Sequence, residues 1–91
     1  MATTPEIEQA LEGFEIDLSA WRMADKNAFA RATSETDESP AFPMAAQVVK
    51  KWPFEGDPSD PESYGRLDFD QWPRVYRAII GAVSLRFRNS K

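Results

Sequence analysis

The sequence predicts a small, mainly α-helical protein made of a single domain, 1–91, with a long amphipathic helix at its C-terminal end. Its length of 91 residues allows one domain. It contains no Cys and no His, so disulfides and the usual zinc ligands do not stabilise it. Helical spacing is clearest in the last third, where the recurring apolar residues are Phe69, Trp72, Tyr76, Ile79, Ile80, Val83 and Phe87.

The last helix carries the strongest start signals in the chain. Asp68 is a candidate N-cap, Gln71 stands three residues later as in a capping box, and Pro73 suits a first turn. From these signals and the apolar spacing we expect a helix of about 20 residues. Its arginines fall outside the apolar stripe, which is typical of an amphipathic helix.

The N-terminal part predicts a short helix followed by a short strand. Thr4 and Pro5 are typical of a helix start and Gly13 of a helix stop, so residues 1–13 are either frayed or docked. Phe14–Leu18 alternates between apolar and acidic residues, which is the period of a half-buried strand. A strand needs a pairing partner. The partner could be a second copy of the chain or a target, or the segment could be a simple extended arm, and all three interpretations stay open.

The middle of the chain predicts two helices separated by a linker. One helix is expected over Trp21–Ala32, and the polar, acidic stretch Thr33–Pro40 is expected to be a mobile linker. Apolar residues at helical spacing then predict a helix over Ala41–Trp52, which Pro53 ends. A stretch rich in Pro and Gly follows, where we expect turns and a single helical turn at 61–65.

The residue types argue against an enzyme. Without His or Cys, the usual general base and the usual thiol nucleophile are missing. The four glycines form no phosphate-binding loop. Asp57, Asp60 and Glu62 lack the spacing of a calcium loop and suit caps and turns instead. We therefore expect no catalytic residue, no bound cofactor and no metal ligand.

The net charge of −4 is unevenly distributed. All fifteen acidic residues lie at or before Asp70, whereas five basic residues and no acidic ones follow Pro73. Two interpretations stay open: the cations complement the helix macrodipole, or they form a docking surface for an acidic partner or nucleic acid. The sequence pI near 4.7 makes nucleic acid the weaker option.

The location expected from the sequence is the cytoplasm. No basic region followed by an apolar run marks a targeting signal near the N-terminus. The longest apolar stretch, Ala78–Leu85, is far shorter than the roughly 20 residues that span a bilayer. We therefore expect a soluble protein that has no membrane partner.

Aromatic residues are abundant, with six Phe, three Trp and two Tyr. A core this small cannot bury all of them. Either several lie at the edge of the core, or they line an apolar groove that receives a partner helix. Binding to a partner or forming a homo-oligomer would also add to the small free energy of unfolding expected of so short a chain. The residues that we select as candidates for partner contact are Trp52, Phe54, Tyr64, Trp72, Arg74 and Arg77.

The segment Val48–Tyr64 resembles part of the tail assembly chaperones of tailed bacteriophages and prophages. In those proteins too, a helix ends in a step like Trp52-Pro53-Phe54 and leads into a turn like Gly56–Pro61. A tyrosine, a leucine such as Leu67 and a long amphipathic helix then follow. Phe14–Leu18 is also similar to the start of such proteins, whereas the acidic stretch after residue 32 departs from their pattern.

This resemblance implies a specific function. Tail assembly chaperones bind the long, apolar, helical tape-measure protein and keep it soluble until tail-tube subunits polymerise around it. A frameshifted longer form often accompanies the short one, which this chain resembles. The implied partner is thus a tape-measure or other tail protein in the cytoplasm of a bacterial host. The alternative is a small adaptor or regulatory protein that binds another protein or nucleic acid through its basic C-terminal helix.

Overall fold

Four helices and a pair of short strands form the part of the chain that is described by the computed structural model, residues 9–89, with side chains described to Arg86. Residues 9–11 are also helical. In chain order the elements are β1 (Glu15–Ile16), α1 (Met23–Thr33), α2 (Ala41–Val48), β2 (Val49–Lys51), α3 (Pro61–Gly65) and α4 (Gln71–Asn89). The mainly α class and the long C-terminal helix are confirmed. The predicted start at Thr4 and Pro5 lies outside the described residues.

The predicted N-terminal strand is present, in shortened form, and pairs within its own chain. β1 runs antiparallel to β2, with Glu15 opposite Lys51 and Ile16 opposite Val49. The backbone N–H of Asp17 extends this pairing by donating to the carbonyl oxygen of Val48 at 2.8 Å. The strand therefore fixes the N-terminal segment to the middle of the molecule.

The helix predicted over Ala41–Trp52 is too long. α2 ends at Val48, and the next three residues form β2. The apolar spacing was misleading because Val49 and Trp52 are buried in the extended conformation as well. Pairing with β1 offers the backbone hydrogen bonds that another helical turn would have made, and β-branched valine suits a strand.

The shorter signals in the second half of the chain are confirmed. The single turn α3 spans Pro61–Gly65, and the Asp60 carboxylate accepts a hydrogen bond from the backbone N–H of Glu62 at 3.0 Å. Before α4, the side-chain oxygen of Gln71 accepts from the backbone N–H of Asp68 at 2.9 Å, which is one half of a capping box, although the helix itself begins only at Gln71. These contacts satisfy backbone donors at helix starts.

Phe69 was expected in the apolar stripe of α4, and this is wrong. The residue lies in the turn before the helix, and its side chain is fully exposed. Because α4 begins only at Gln71, Phe69 is outside the helical register. Among its described residues, the buried positions of the helix are Val75, Ala78, Ile79 and Gly81.

One kind of turn precedes three of the helices. In each case an Asp carboxylate accepts the backbone N–H of a Ser two residues later, at 2.9–3.0 Å. These hydrogen bonds lower the pKa of the carboxyls; at the first turn the Ser backbone is the main cause, and at the other two the Ser side chain. The three pairs are Asp17 and Ser19, Asp37 and Ser39, and Asp57 and Ser59.

The acidic stretch after α1 is attached to the last helix. α1 includes Thr33, one residue beyond the predicted end, and turns follow. Within these turns, the Glu38 carboxylate accepts a hydrogen bond from Trp72 Nε1 at 2.8 Å. The contact joins positions 34 residues apart in sequence.

The core lies between the helices and β2. α2 and α3 pack together, and α4 contributes its apolar face. The buried apolar cluster consists of Leu18, Trp21, Phe29, Ala41, Ala45, Ala46, Val48, Val49, Trp52, Tyr64, Val75 and Ile79.

Candidate partner-binding surface

The six residues selected as partner contacts fall into three groups by exposure. Trp52 and Tyr64 are core residues, with 9% and 1% of their surface exposed. Phe54 and Trp72 are half-buried, and Arg74 and Arg77 are exposed. A partner approaching the folded surface would therefore meet the two half-buried aromatics and the two arginines, while the buried pair supports them from beneath.

An aromatic cluster joins the buried and half-buried members of this set. The Tyr64 ring centroid lies 4.8 Å from that of Trp52, 6.1 Å from Phe42 and 6.2 Å from Trp72. The pairs adopt tilted, stacked and edge-on arrangements, and each such pair adds about 0.5–1.5 kcal/mol beyond its buried area. The cluster fixes α2, α3 and the start of α4 relative to one another.

The polar end of Tyr64 is satisfied inside this cluster. Its hydroxyl donates to the carbonyl oxygen of Pro58 at 2.6 Å. Burial, with a smaller contribution from the Asp57 carboxylate, raises the pKa of Tyr64 well above its ordinary value of 10.0. The phenol is thus a structural hydrogen-bond donor at physiological pH.

The segment 48–64 closes one side of the cluster. Trp52 Nε1 donates to the carbonyl oxygen of Gly56 at 3.0 Å. Gly56 has a φ of +94°, and a Cβ at this position would lie 3.1 Å from the Ser63 hydroxyl oxygen. Glycine is favoured here because the positive φ is strained for other residues, and a Cβ would also require Ser63 to shift.

Phe54 links the cluster to the surface. Its ring meets Phe14 and Trp52 edge-on, with centroids 5.8 and 5.6 Å away. The guanidinium carbon of Arg74 lies 5.1 Å from the centroid of the same ring, a distance at which a cation–π contact is favourable. Arg74 is therefore held over an aromatic platform at the surface.

Three adjoining hollows run along α4 beside residues 9–26. The first, of about 340 Å³, lies between Arg74, Arg77 and Phe14. The second, of about 410 Å³, shares Phe14 with the first. The third, of about 290 Å³, shares Leu18 and Arg86 with the second. Neighbouring hollows have lining residues in common, and the three together are called the α4 groove; a hydrogen bond from Arg86 to Leu18 joins its two walls where the second and third hollows meet.

The α4 groove has an apolar floor and basic edges. Its floor includes Phe14, Ile16, Leu18, Ala82 and Leu85. None of its described lining side chains is acidic, although the chain as a whole has a net charge of −4. The basic lining residues are Arg22, Lys26, Arg74, Arg77 and Arg86.

Sequence reasoning identified only one end of this groove. Arg74 and Arg77 were selected from the basic character of the last helix, but the opposite wall was not. A partial signal existed, because residues 74, 77, 82, 85 and 86 fall within about half of the helix circumference at 3.6 residues per turn. The opposite wall had no such signal, because its residues are distant from α4 in sequence. Leu18 and Arg86, for example, are 68 positions apart, yet Arg86 Nη1 donates a hydrogen bond to the Leu18 carbonyl oxygen at 3.0 Å.

Two further properties concern the described part of the chain. No cluster of three or more acidic side chains there is arranged to hold a metal ion. None of the helices in this part has the length and apolar character needed to cross a membrane.

In comparisons with known proteins, no protein family, no curated protein and no solved structure matches this chain.

Proposed function

We propose that this protein is a phage or prophage tail assembly chaperone. In this proposal it binds an apolar helical segment of a tape-measure protein in the α4 groove and keeps it soluble in the bacterial cytoplasm. The observation that carries the proposal is the groove itself, an apolar floor with basic edges on the surface of an acidic protein.

The dimensions of the groove suit a helix. Between Arg74 and Arg86, α4 advances about 18 Å at 1.5 Å per residue. That length matches about three turns of a second helix lying alongside. Helix-in-groove recognition uses apolar anchors at a spacing of three or four residues, which an apolar floor of this kind can receive.

The resemblance to phage chaperones supports the same function through the architecture of the groove. Phe54, from the Trp52-Pro53-Phe54 step, lies under Arg74 at one end of the groove. The turn after this step is held by the hydrogen bond from Trp52 to Gly56. The residues that carry the resemblance would thus serve to shape one end of the partner site.

Co-expression with a tape-measure-like protein tests the proposal, the first choice being any such protein encoded immediately downstream of this gene. We expect more soluble tape-measure protein and a complex on a sizing column, which also reports how many copies bind. Leu85→Glu places a charge on the groove floor and should abolish the complex. The control is Phe69→Glu, the same kind of change at an exposed position outside the groove, which should preserve it. Failure of the unaltered protein to increase solubility or form a complex would refute the proposal.

A nucleic-acid-binding adaptor is the second candidate, favoured by the exposure of Arg74 and Arg77 on one helix. Such binding would weaken steeply with salt because counterions are released from phosphates. Binding of duplex or single-stranded nucleic acid that Arg74→Glu with Arg77→Glu abolishes would favour this function. Nucleic-acid binding that these changes leave unaltered would eliminate it.

A further inference from the structure

The third hollow of the groove is a distinct apolar pocket, here called the Trp21 pocket. Its walls are Leu18, Trp21, Met23 and Val83. Trp21 is 6% exposed, whereas Met23 is mostly exposed at the rim. A flexible methionine beside a fixed indole is a combination that adapts to an inserted apolar side chain.

The indole of Trp21 differs from the other two indoles in its hydrogen bonding. Trp52 Nε1 donates to Gly56 and Trp72 Nε1 donates to Glu38. Trp21 Nε1 is buried and has no acceptor among the described residues. Buried donors without an acceptor are rare, and each calls for an explanation. Trp21 is also the tryptophan that lines this pocket, so its indole N–H is the one whose NMR signal reports on binding there.

The charged side chains that line the pocket are positive, while the Asp17 carboxylate interacts with Arg86 from outside the lining. Arg22 and Lys26 come from the start of α1, and Arg86 comes from α4. They contribute positive charge on both sides of the pocket mouth, and no acidic side chain is present among the described lining residues. An apolar pocket with this rim is complementary to an apolar side chain that has carboxylates beside it.

Building on the proposed function, we propose that the Trp21 pocket anchors an acidic amphipathic helix of the partner protein. One large apolar side chain of that helix fills the pocket, and carboxylates three or four residues away face Arg22 and Lys26. The volume of about 290 Å³ lies at the lower limit of small-molecule sites, which span about 300–1,000 Å³. This volume suits a single side chain. The pocket is also lined by Trp and Arg, which are among the residues enriched at binding hot spots.

The test uses two synthetic amphipathic helices of about four turns. The two peptides share one apolar face, which includes the large side chain that fills the pocket. They differ only in the residues three or four positions from that side chain, which are Glu in one peptide and Lys in the other. Binding is followed by the NMR signals of the three indole N–H groups, with the Trp21 signal assigned from its loss in Trp21→Phe. We expect the Glu peptide to shift the Trp21 signal and to bind at least about tenfold more tightly than the Lys peptide.

Charge reversal provides the matched comparison. Arg22→Glu with Lys26→Glu should weaken binding of the Glu peptide by about tenfold or more, because two attractive contacts become repulsive. Arg31→Glu with Lys50→Glu changes the net charge equally and uses residues outside the pocket lining. This control should change affinity by less than about twofold. Neither pair alters Trp21, so the comparison stands even if Trp21→Phe fails to fold.

The outcomes separate this inference from the proposed function. Peptide binding that leaves the Trp21 signal unchanged, or equal affinity for both peptides, overturns the pocket assignment. A tape-measure complex that survives Arg22→Glu with Lys26→Glu also overturns it, while the chaperone function stands. If the tape-measure protein does not bind but the Glu peptide shifts the Trp21 signal, the pocket stands and the chaperone function fails.

Discussion

The hydroxyl of Tyr64 is a single atom whose contribution to stability can be isolated. Tyr64→Phe removes the hydrogen bond to the Pro58 carbonyl oxygen, 2.6 Å long, and keeps the ring. The ring contacts with Trp52, Phe42 and Trp72 are therefore preserved. Because the residue is 1% exposed, water does not readily replace the lost donor.

The magnitude follows from the burial of this hydrogen bond. A typical intramolecular hydrogen bond contributes about 0.5–1.5 kcal/mol net, and a buried partner left unsatisfied costs about 1–3 kcal/mol. Pro58 is half-buried, so we expect a loss of about 1–2 kcal/mol in the free energy of unfolding. For a chain of this size each 1 kcal/mol lowers Tm by about 4–8 °C. The expected decrease in Tm is about 5–15 °C.

The same substitution predicts a pH dependence. Burial, assisted by the Asp57 carboxylate, raises the pKa of Tyr64 in the folded state above 10.0. The unfolded chain therefore loses this proton first as pH increases, so the contribution of Tyr64 is complete below pH 10.0 and is lost progressively above it. Tyr64→Phe lacks this loss, and the stability difference between the two proteins should narrow above pH 10.0.

Urea unfolding followed by circular dichroism, from neutral pH to alkaline pH, measures both effects. Tyr76→Phe is the control, since the other tyrosine is half-buried and stacks on Phe29. A loss below about 0.5 kcal/mol at neutral pH would show that the hydrogen bond to Pro58 is not stabilising. A stability difference that stays constant above pH 10.0 would refute the argument from burial.

Three further predictions concern stability. Gly56→Ala should cost about 1–2 kcal/mol for the left-handed backbone alone and more for the contact with Ser63. Gly65→Ala, whose Cβ meets nothing within 4 Å, should be near neutral. Thermal unfolding of the two variants compares these costs. Glu38→Ala should cost about 1 kcal/mol by removing the acceptor of Trp72 Nε1, with an upfield shift of the Trp72 indole N–H NMR signal as the check. Hydrogen bonds from serines lower the pKa of the Asp17, Asp37 and Asp57 carboxyls from 3.8. The contribution of these three carboxylates to the free energy of unfolding is therefore present above that pH and is lost as pH falls. Acid unfolding monitored by circular dichroism should thus depend less on pH in a triple variant carrying Asp17→Asn, Asp37→Asn and Asp57→Asn.

The turn before α4 and the single turn α3 could be predicted because their signals are local. Asp60 and Pro61 open α3, and Gln71 completes half of a capping box with Asp68. Each of these contacts joins residues two or three positions apart. Short-range hydrogen bonds and the fixed φ of proline do not depend on the rest of the fold.

The end of α2 was decided by tertiary structure. Val48, Val49 and Trp52 satisfy helical spacing, yet β2 replaces the last predicted turn because β1 pairs with it. The alternating pattern of Phe14–Leu18 predicted a strand but could not identify its partner. Only the folded chain brings residues 15 and 51 together, since backbone pairing depends on which segments meet in space.

For the candidate site, the sequence alone determined chemical character: aromatic residues in excess, a basic last helix, and Arg74 and Arg77 as candidate contacts. Tertiary structure decided which of these reach the surface, burying Trp52 and Tyr64 and leaving the arginines exposed. It also created the Trp21 pocket by placing Leu18 against Val83 and Arg86. A pocket is a space between side chains distant in sequence, and no local pattern encodes it.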